Sequence, residues 1–141
     1  MNEKERQIIE HLRKDARISL AKISQDIGMP ISTIHDKVRR FENIGLIKGS
    51  SISVDFSKLG FNYLAKIAIK VSKSSRAELI SFIQNDSSVN SIHEVNGTFD
   101  FMIETAHKDV KEYLNFVEKL TESFSLEAIQ EFQVIGEIKR D

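Results

Sequence analysis

The stretch S-L-A-K-I-S-Q-D-I-G-M-P-I-S-T-I-H-D-K-V-R-R-F, residues 19–41, is the most informative segment for predicting the fold of the first part of the chain. Ser19 is a favourable helix N-cap, and Gly28 is typical of a helix end. Beyond it, four apolar side chains recur at helical spacing: Ile31, Ile34, Val38 and Phe41. The stretch therefore predicts two short helices joined by a tight turn, the second covering residues 31–44.

The flanking segments extend this pattern. Residues 3–14 carry Ile8, Ile9 and Leu12 on one helical stripe, which predicts a helix before the stretch. After it, residues 46–54 (L-I-K-G-S-S-I-S-V) predict a small β-hairpin with its turn at G-S-S. Three helices and a hairpin are typical of a winged helix-turn-helix, whose last helix lies in the DNA major groove.

The predicted third helix has a polar and basic outer face. Opposite its apolar stripe lie Ser32, Asp36, Arg39, Arg40 and Asn43, flanked by Thr33, His35 and Lys37. Arg and Lys bind guanine edges or phosphates, and hydroxyl and amide groups are adaptable partners. We expect base contacts from Ser32, Thr33, Asp36 and Arg40, and mainly phosphate contacts from Lys37, Arg39, Lys48 and Ser51. Ser19 and Lys22 begin the second helix, which crosses the DNA backbone in this arrangement, and are further phosphate candidates.

The alternative for this face is the solvated side of a helix in a small helical domain. An isolated amphipathic helix would favour that interpretation. Here the preceding helix, the turn at Gly28 and the following hairpin together favour double-stranded DNA as the partner.

Composition indicates a folded protein of one or two small domains. The chain has 141 residues, of which 40% are hydrophobic and 29% charged. It contains no cysteine, which excludes disulfides and Cys-based zinc sites. No apolar run approaches the ~20 residues needed to span a bilayer, and the N-terminus lacks a signal-peptide pattern. We expect a cytoplasmic protein without a membrane partner.

Neither a metal site nor an enzyme motif is visible. His11, His35, His93 and His107 lack metal-ligand spacing and are interpreted as isolated surface or helix-flank residues. G-x-S-x-G, P-loop and G-x-G-x-x-G patterns are all missing. We therefore expect no catalytic residues, no metal and no cofactor.

The charge is divided unevenly between two parts of the chain. Residues 1–54 hold ten Lys and Arg against seven Asp and Glu, whereas residues 55–141 hold ten against fourteen. The front part therefore has a net charge of +3 and the rest −4. This asymmetry suggests a DNA-binding domain over 1–54, a linker over 55–61 and a second domain over 62–141.

The second domain has the order β-α-β-β-α-β, typical of a ferredoxin-like fold. Strands are predicted over residues 63–71, 89–95, 98–106 and 129–138. A capping box at Ser75-x-x-Glu78 begins one helix, and Asn96-Gly97 predicts a type I′ turn between the two middle strands. The second helix begins at Asp109-x-x-Glu112, and its predicted inward stripe is Val110, Leu114, Val117 and Phe124.

The strands carry apolar residues on both faces. Opposite the stripe that starts at Tyr63 lie Leu64 and Ala68, and opposite Phe132 lie Ile129 and Ile135. Both helices of this topology cover the same sheet face, so the other face would remain bare. Because exposed apolar patches usually mark interfaces, we expect at least a homodimer through the sheet.

These phrases, in this order, resemble the Lrp/AsnC family of leucine-responsive, or feast/famine, transcription regulators. The similarity covers nearly the whole chain and rests on several motifs: R-K-D-A-R-I-S at 13–19, G-M-P-I-S-T-I-H-D-K-V-R-R-F-E at 28–42, N-I-G-L-I-K-G at 43–49, D-F-S-K-L-G at 55–60, G-T-F-D at 97–100 and E-I-K at 137–139. The resemblance implies an α+β protein with a winged helix-turn-helix and a ferredoxin-like RAM domain. It also implies homodimers, often assembled into tetramers or octamers, and control by amino acids or related molecules.

The resemblance implies an effector pocket between subunits. Its candidate residues are the loop Asn96, Gly97, Thr98, Phe99 and Asp100, with Glu131 and Gln133 on the last strand. The loop alone would be interpreted as a turn with an exposed aspartate. Glu131 stands where the family usually has Thr, which favours an amine or cationic ligand group or indicates that no ligand binds. Pro30 stands where the family usually caps the recognition helix with Ser.

Three alternatives to a sequence-specific regulator stay open. The first is an architectural protein that coats or bends DNA with little sequence preference. The second is an enzyme resembling siroheme decarboxylases, which share this two-domain fold. The third is an amino-acid-binding regulatory subunit that does not contact DNA. The basic recognition face argues against the last two.

Overall fold

The computed structural model describes residues 1–140, which form two compact units. The first unit comprises Met1–Ser53 together with Lys139 and Arg140, and the second comprises Val54–Ile138. Within the described residues, no helix combines the length and apolar character needed to cross a membrane.

Three helices form the first unit, and each begins where the sequence predicts. They are α1 (Glu3–Lys14), α2 (Leu20–Ile27) and α3 (Ile31–Asn43). The Ser19 side chain accepts a hydrogen bond from the Lys22 backbone N–H, which caps α2. Gly28 ends α2 with φ +68°, a left-handed conformation in which glycine carries no steric penalty.

The core of the first unit is small and draws on all three helices. Four side chains are fully buried: Ile8, Ile23, Ile34 and Phe41. Ile31 was expected to join them, but 49% of its surface is exposed. Ile31 is the first residue of α3, and the fully buried contacts of α3 with the core are made by Ile34 and Phe41 in the later turns.

The predicted β-hairpin over residues 46–54 is wrong, because these residues form no strand pairing. Within the segment, Ile47 alone packs against the helical core, while Ile52 is 76% exposed. A two-stranded hairpin without an apolar face to bury is marginal in water. The wing region is therefore an irregular connection here.

The second unit has the predicted order of elements. Its strands are β1 (Tyr63–Val71), β2 (Val89–Glu94), β3 (Phe101–His107) and β4 (Leu126–Val134), and its helices are α4 (Arg76–Asn85) and α5 (Val110–Ser123). Short 3-10 turns at Phe56–Leu59 and Lys73–Ser75 precede β1 and α4. The strands form one antiparallel sheet in the order β2-β3-β1-β4, which confirms the ferredoxin-like topology.

Both helices pack on one face of this sheet. The buried cluster between them combines side chains of α4, α5, β1 and β3: Leu79, Ile83, Tyr113, Phe116, Leu120, Ala65, Ile67, Ile69, Val71, Phe101 and Ile103. The inward stripe predicted for α5 is wrong at Val110 and Leu114, which are exposed, whereas Val117 and Phe124 pack against the core as expected. The aromatic stripe of Tyr113 and Phe116 buries a larger apolar surface, which favours it for the core.

Two local predictions in this unit also fail. Ser75 precedes α4 but makes no capping hydrogen bond. It is the last residue of the 3-10 turn, and its backbone angles of φ −101°, ψ −4° differ from the extended conformation of a typical N-cap. The Asn96-Gly97 segment is not a type I′ turn, because no residue other than glycine has positive φ within residues 1–140. A wider loop is closed instead by a hydrogen bond from the Val95 N–H to the Asp100 carbonyl oxygen.

The last strand lies earlier in the chain than predicted. It covers Leu126–Val134 rather than residues 129–138, since its pairing with β1 ends at Leu64 opposite Val134. Beyond that point β1 offers almost no further backbone to pair with. Ile135 is accordingly exposed.

The second face of the sheet is not covered by any helix of the unit. Lys66 lies opposite Phe132, and Leu64 lies opposite Val134. Phe132 is 48% exposed and Met102 is 38% exposed. This open sheet face is the apolar surface expected from the sequence.

Candidate nucleic-acid interface

The outer face of α3 presents polar side chains to solvent. Ser32, Asp36, Arg39 and Asn43 are all exposed and lie opposite the buried positions of the helix. Among residues 1–140, Arg39 has neither an ion pair nor a hydrogen bond through its side chain. His35 lies beside this group, with Nδ1 3.7 Å from an Asp36 carboxylate oxygen. The four residues therefore form one surface that a duplex can reach.

The start of α3 has no side-chain cap. Pro30 is the N-cap residue and makes no hydrogen bond to the first turn, as its lack of a donor or acceptor side chain requires. The first backbone N–H groups of α3 thus lack a capping oxygen from the side chain that precedes them. A phosphate oxygen is a suitable partner for such groups.

Lys37 and Arg40 have a different environment from the rest of the basic residues of α3. Both lie within 2.9 Å of the same oxygen, Oε1 of Glu5 on α1. Glu5 is only 7% exposed, although it is charged. The hydrogen bond from Lys37 is the main cause that holds the pKa of Glu5 below its usual range. Burial alone would raise this pKa, but the hydrogen bond with Asn2 and the charge of Arg40 also lower it.

Glu5 is the functional candidate that sequence reasoning missed. The pattern Asn2-x-x-Glu5 is a local capping box, and the structure contains both of its hydrogen bonds. That local role is readable from the sequence. The contact with Lys37 and Arg40, more than 30 residues away, depends on the packing of α1 against α3.

The remaining predicted DNA contacts lie at the edges of this unit. Lys22 is 3.7 Å from Asp26, one helical turn on, and remains 60% exposed at its side chain. Lys48 and Ser51 are exposed in the irregular wing segment. Lys22, Lys48 and Ser51 are thus accessible to solvent, but Lys48 and Ser51 belong to neither a helix nor a strand.

The candidate effector residues fall into two groups within the second unit. Asp100 follows the loop of Asn96, Gly97, Thr98 and Phe99, and its Oδ2 accepts a hydrogen bond of 3.0 Å from the Val71 backbone N–H. Glu131 lies opposite Ile67 on β1, four residues before Val71. Ile67 and Val71, the β1 residues beside the two carboxylates, are about 13 Å apart along the strand, so Asp100 and Glu131 lie at separate places on the sheet.

Glu131 and Gln133 face the helices, on the opposite side from Phe132. The Tyr113 hydroxyl donates a hydrogen bond to Glu131. Burial raises the pKa of Tyr113, and the hydrogen bond to Glu131 adds to this effect, so the phenol stays protonated. Glu131 thus already has a partner from its own chain.

His107 lies near Tyr113 and was wrongly interpreted as a surface residue. It is almost fully buried, with its ring 5.3 Å from the rings of both Tyr113 and Phe116. Its Nε2 has no hydrogen-bond partner within residues 1–140. Burial lowers the pKa of His107 more than the nearby acidic groups raise it, so the neutral ring is favoured. No cluster of three metal-binding side chains occurs in the described part of the chain.

Comparison with known proteins agrees with this architecture. Residues 1–48 match the winged helix-turn-helix DNA-binding family, and residues 64–141 match the Lrp/AsnC ligand binding domain. The second match alone covers more than half of the chain. The protein belongs to the Lrp/AsnC family. It is therefore a DNA-binding transcriptional regulator of the helix-turn-helix type.

Three relatives illustrate this Lrp/AsnC membership. The transcriptional regulator FL11 of Pyrococcus furiosus is 32% identical over 114 residues, which cover 81% of this chain and 76% of the relative. AldR of Mycobacterium tuberculosis is 29% identical over 120 residues, covering 83% and 67%. A crystal structure of Neisseria meningitidis regulator NMB0573 with L-methionine has 17% identity and a TM-score of 0.90, covering 99% and 93%.

The relatives also bear on the alternatives. FL11 and AldR are named as transcriptional regulators. Their names give no support to the two alternatives of an architectural protein and a siroheme-decarboxylase-like enzyme. The low identity to the Neisseria protein supports the shared fold alone.

Proposed function

We propose that this Lrp/AsnC protein is a sequence-specific regulator that inserts α3 into the DNA major groove. The observation that carries the proposal is the exposed face of Ser32, Asp36, Arg39 and Asn43 on a helix whose opposite face packs into the core. A rigid helix with a polar outer face suits base contacts, since its core side fixes its orientation. DNA as the partner also supports a cytoplasmic location.

Different residues would serve different parts of the duplex. Ser32, Thr33, Asp36 and Arg40 are proposed to contact base edges, and Lys37, Arg39, Lys48, Ser51, Ser19 and Lys22 mainly to contact phosphates. Each good bidentate base contact is worth about 1–3 kcal/mol of discrimination. Phosphate contacts add affinity without sequence preference, and their contribution falls as salt rises.

The open sheet face supports a homodimer. Phe132, Met102, Leu64 and Val134 give this face apolar side chains around the ion pair of Lys66 and Glu104, whose charged atoms are 3.3 Å apart. A second copy of the same face would bury these side chains and repeat the apolar contact by symmetry. Two copies of α3 would then contact two half-sites, and tetramers or octamers would extend the same pairing.

A small-molecule effector is the second part of the proposal. The Neisseria regulator was crystallised with L-methionine, which supports an amino acid or related amine as the ligand class. Asp100 and Glu131 lie at separate places on the sheet of one chain, so a pocket that uses both would need loops from two subunits. A ligand amine would compete with the Tyr113 hydroxyl for Glu131.

The proposal is tested by selecting bound fragments from the host DNA and titrating the best fragment at fixed salt. We expect Arg40→Ala to weaken specific binding by more than tenfold without changing the oligomer, because it removes a base contact. Lys111→Ala on α5, outside the DNA-binding unit, is the matched control and should bind normally. Unchanged binding by the Arg40 variant would remove Arg40 from the base-contacting set.

A second arm repeats the titration with a panel of amino acids. A shift in apparent affinity with one of them would identify the effector class. Substituting Glu131→Gln should then change that shift while leaving DNA binding without effector as it was. If no amino acid alters binding or the protein's melting temperature, the effector part of the proposal is contradicted and the DNA part is not.

A further inference from the structure

Glu5 joins two helices through one carboxylate oxygen. Its Oε1 is 2.9 Å from Lys37 Nζ and 2.9 Å from Arg40 Nη2. The second oxygen lies 3.4 Å from the Asn2 backbone N–H, and the Asn2 side chain accepts a hydrogen bond from the Glu5 N–H. The carboxylate is therefore held at the start of α1 and cannot follow the two cations if they turn towards DNA.

The two cations are not equally enclosed. The Lys37 side chain is 25% exposed, whereas the Arg40 side chain is 55% exposed. Arg40 uses one terminal nitrogen for Glu5, and its guanidinium carbon is 5.3 Å from the centre of the Phe41 ring. Arg40 thus has one nitrogen paired with Glu5 and further N–H donors that remain available.

The net charge of this cluster matters for DNA binding. Two cations and one carboxylate leave a charge of +1 on this side of α3, instead of the +2 that the sequence of α3 suggests. Sequence-independent binding depends on the number of phosphates neutralised by Lys and Arg. A partly neutralised pair of cations adds less to that binding than two free ones.

We propose that Glu5 is a positioning residue for DNA discrimination: it holds Arg40 in one orientation and withholds part of the Lys37 and Arg40 charge from random phosphates. Glu5 thereby raises the ratio of specific to nonspecific affinity. The inference rests on the proposed major-groove role of α3, and it concerns a residue on α1 that contacts no DNA itself.

The test compares Glu5→Gln with Glu3→Gln in the full-length protein. Glu3 lies in the same first turn of α1, is exposed and has no ion pair within residues 1–140, so it controls for the loss of one negative charge. On a random-sequence duplex, Glu5→Gln should bind several-fold more tightly than Glu3→Gln. The slope of log K against log salt should steepen by about 0.9 for each additional phosphate that the released cations neutralise.

The selected specific fragment provides the second readout. Glu5→Gln should lower the specific-to-nonspecific ratio several-fold, and this effect should be clearly smaller when Arg40→Ala is already present, because only the release of Lys37 then remains. This reduced effect in the double variant distinguishes positioning of Arg40 from a general loss of structure. Equal salt slopes and equal ratios for Glu5→Gln and Glu3→Gln would overturn the inference.

A third comparison does not require Glu5 to be changed, in case Glu5→Gln fails to fold. Arg39→Gln and Arg40→Gln remove adjacent charges, of which only Arg40 is paired with Glu5. On a random-sequence duplex, Arg39→Gln should reduce the slope of log K against log salt more than Arg40→Gln does. An equal reduction would overturn the inference. If the wild-type protein prefers no DNA fragment, the proposed function is contradicted. The comparison on random duplex needs no preferred fragment, so it still tests the inference about Glu5.

Discussion

At the scale of single residues, three carboxylates of this protein join elements that are distant in sequence. Glu5 pairs with two cations of α3, Asp100 accepts a backbone N–H of β1, and Glu131 accepts the Tyr113 hydroxyl. Family resemblance placed Asp100 and Glu131 near a candidate site, whereas Glu5 was predicted only as part of a helix. Sequence patterns could not predict which partner each would find, because that depends on how the elements pack.

The lowered pKa of Glu5 gives a prediction about acid stability. Because its folded pKa lies below the ordinary value of 4.5, the unfolded chain binds a proton first as pH falls. The stabilisation is therefore complete above about pH 5 and is lost as pH falls through the folded pKa. We expect the melting temperature of wild type to exceed that of Glu5→Gln at pH 7 and the difference to shrink below pH 4.5.

Thermal melts of both proteins between about pH 7 and pH 3 would check this expectation. Glu3→Gln serves again as the control, with a difference from wild type that stays small at every pH. A Glu5→Gln deficit that is the same at both ends of this range would show that its charge is not what stabilises the unit.

At the scale of elements, helices were predicted more accurately than turns and strand ends. The starts of α1, α2 and α3 follow from local capping and apolar spacing, which act within one turn. The loop before Asp100 and the end of β4 are set instead by pairing with β1. In α5, two apolar stripes compete, and only packing against the sheet selects that of Tyr113 over that of Leu114.

Capping provides a matched prediction at this scale. Ser19→Ala removes a hydrogen bond to the Lys22 N–H and should destabilise the protein by about 1 kcal/mol. Ser75→Ala removes the same side chain from the start of α4, where it caps nothing and accepts only a long bond of 3.4 Å from the Ser125 N–H, so it should cost less. Denaturant titrations of both variants check this. Equal costs would mean that the Ser19 cap contributes nothing of its own.

At the scale of the whole molecule, the order of elements was sufficient to predict both folds. Three helices and the β-α-β-β-α-β order leave few alternative topologies, and the observed sheet order agrees with the expected one. The wing was the exception, because Ile47 alone of its residues packs on the helical core. The open sheet face follows from the same topology, since both helices occupy the opposite side.

The open face gives a prediction about assembly. Phe132→Glu places a charge among the exposed apolar residues of the proposed dimer interface and should convert the dimer to monomer in sedimentation experiments. Leu114→Glu adds the same charge at a similarly exposed apolar position on the outer side of α5. That control variant should remain dimeric. A dimeric Phe132 variant would place the interface elsewhere.

The ratio of specific to nonspecific DNA affinity shows whether paired copies of α3 recognise a sequence. It would be measured for wild type on a selected host fragment and on a random duplex of equal length at physiological salt. We expect a ratio of at least about 10³, falling sharply for Phe132→Glu because one α3 then contacts one half-site. A wild-type ratio of about 1 would contradict sequence recognition by α3 and indicate a protein that coats DNA without recognising its sequence.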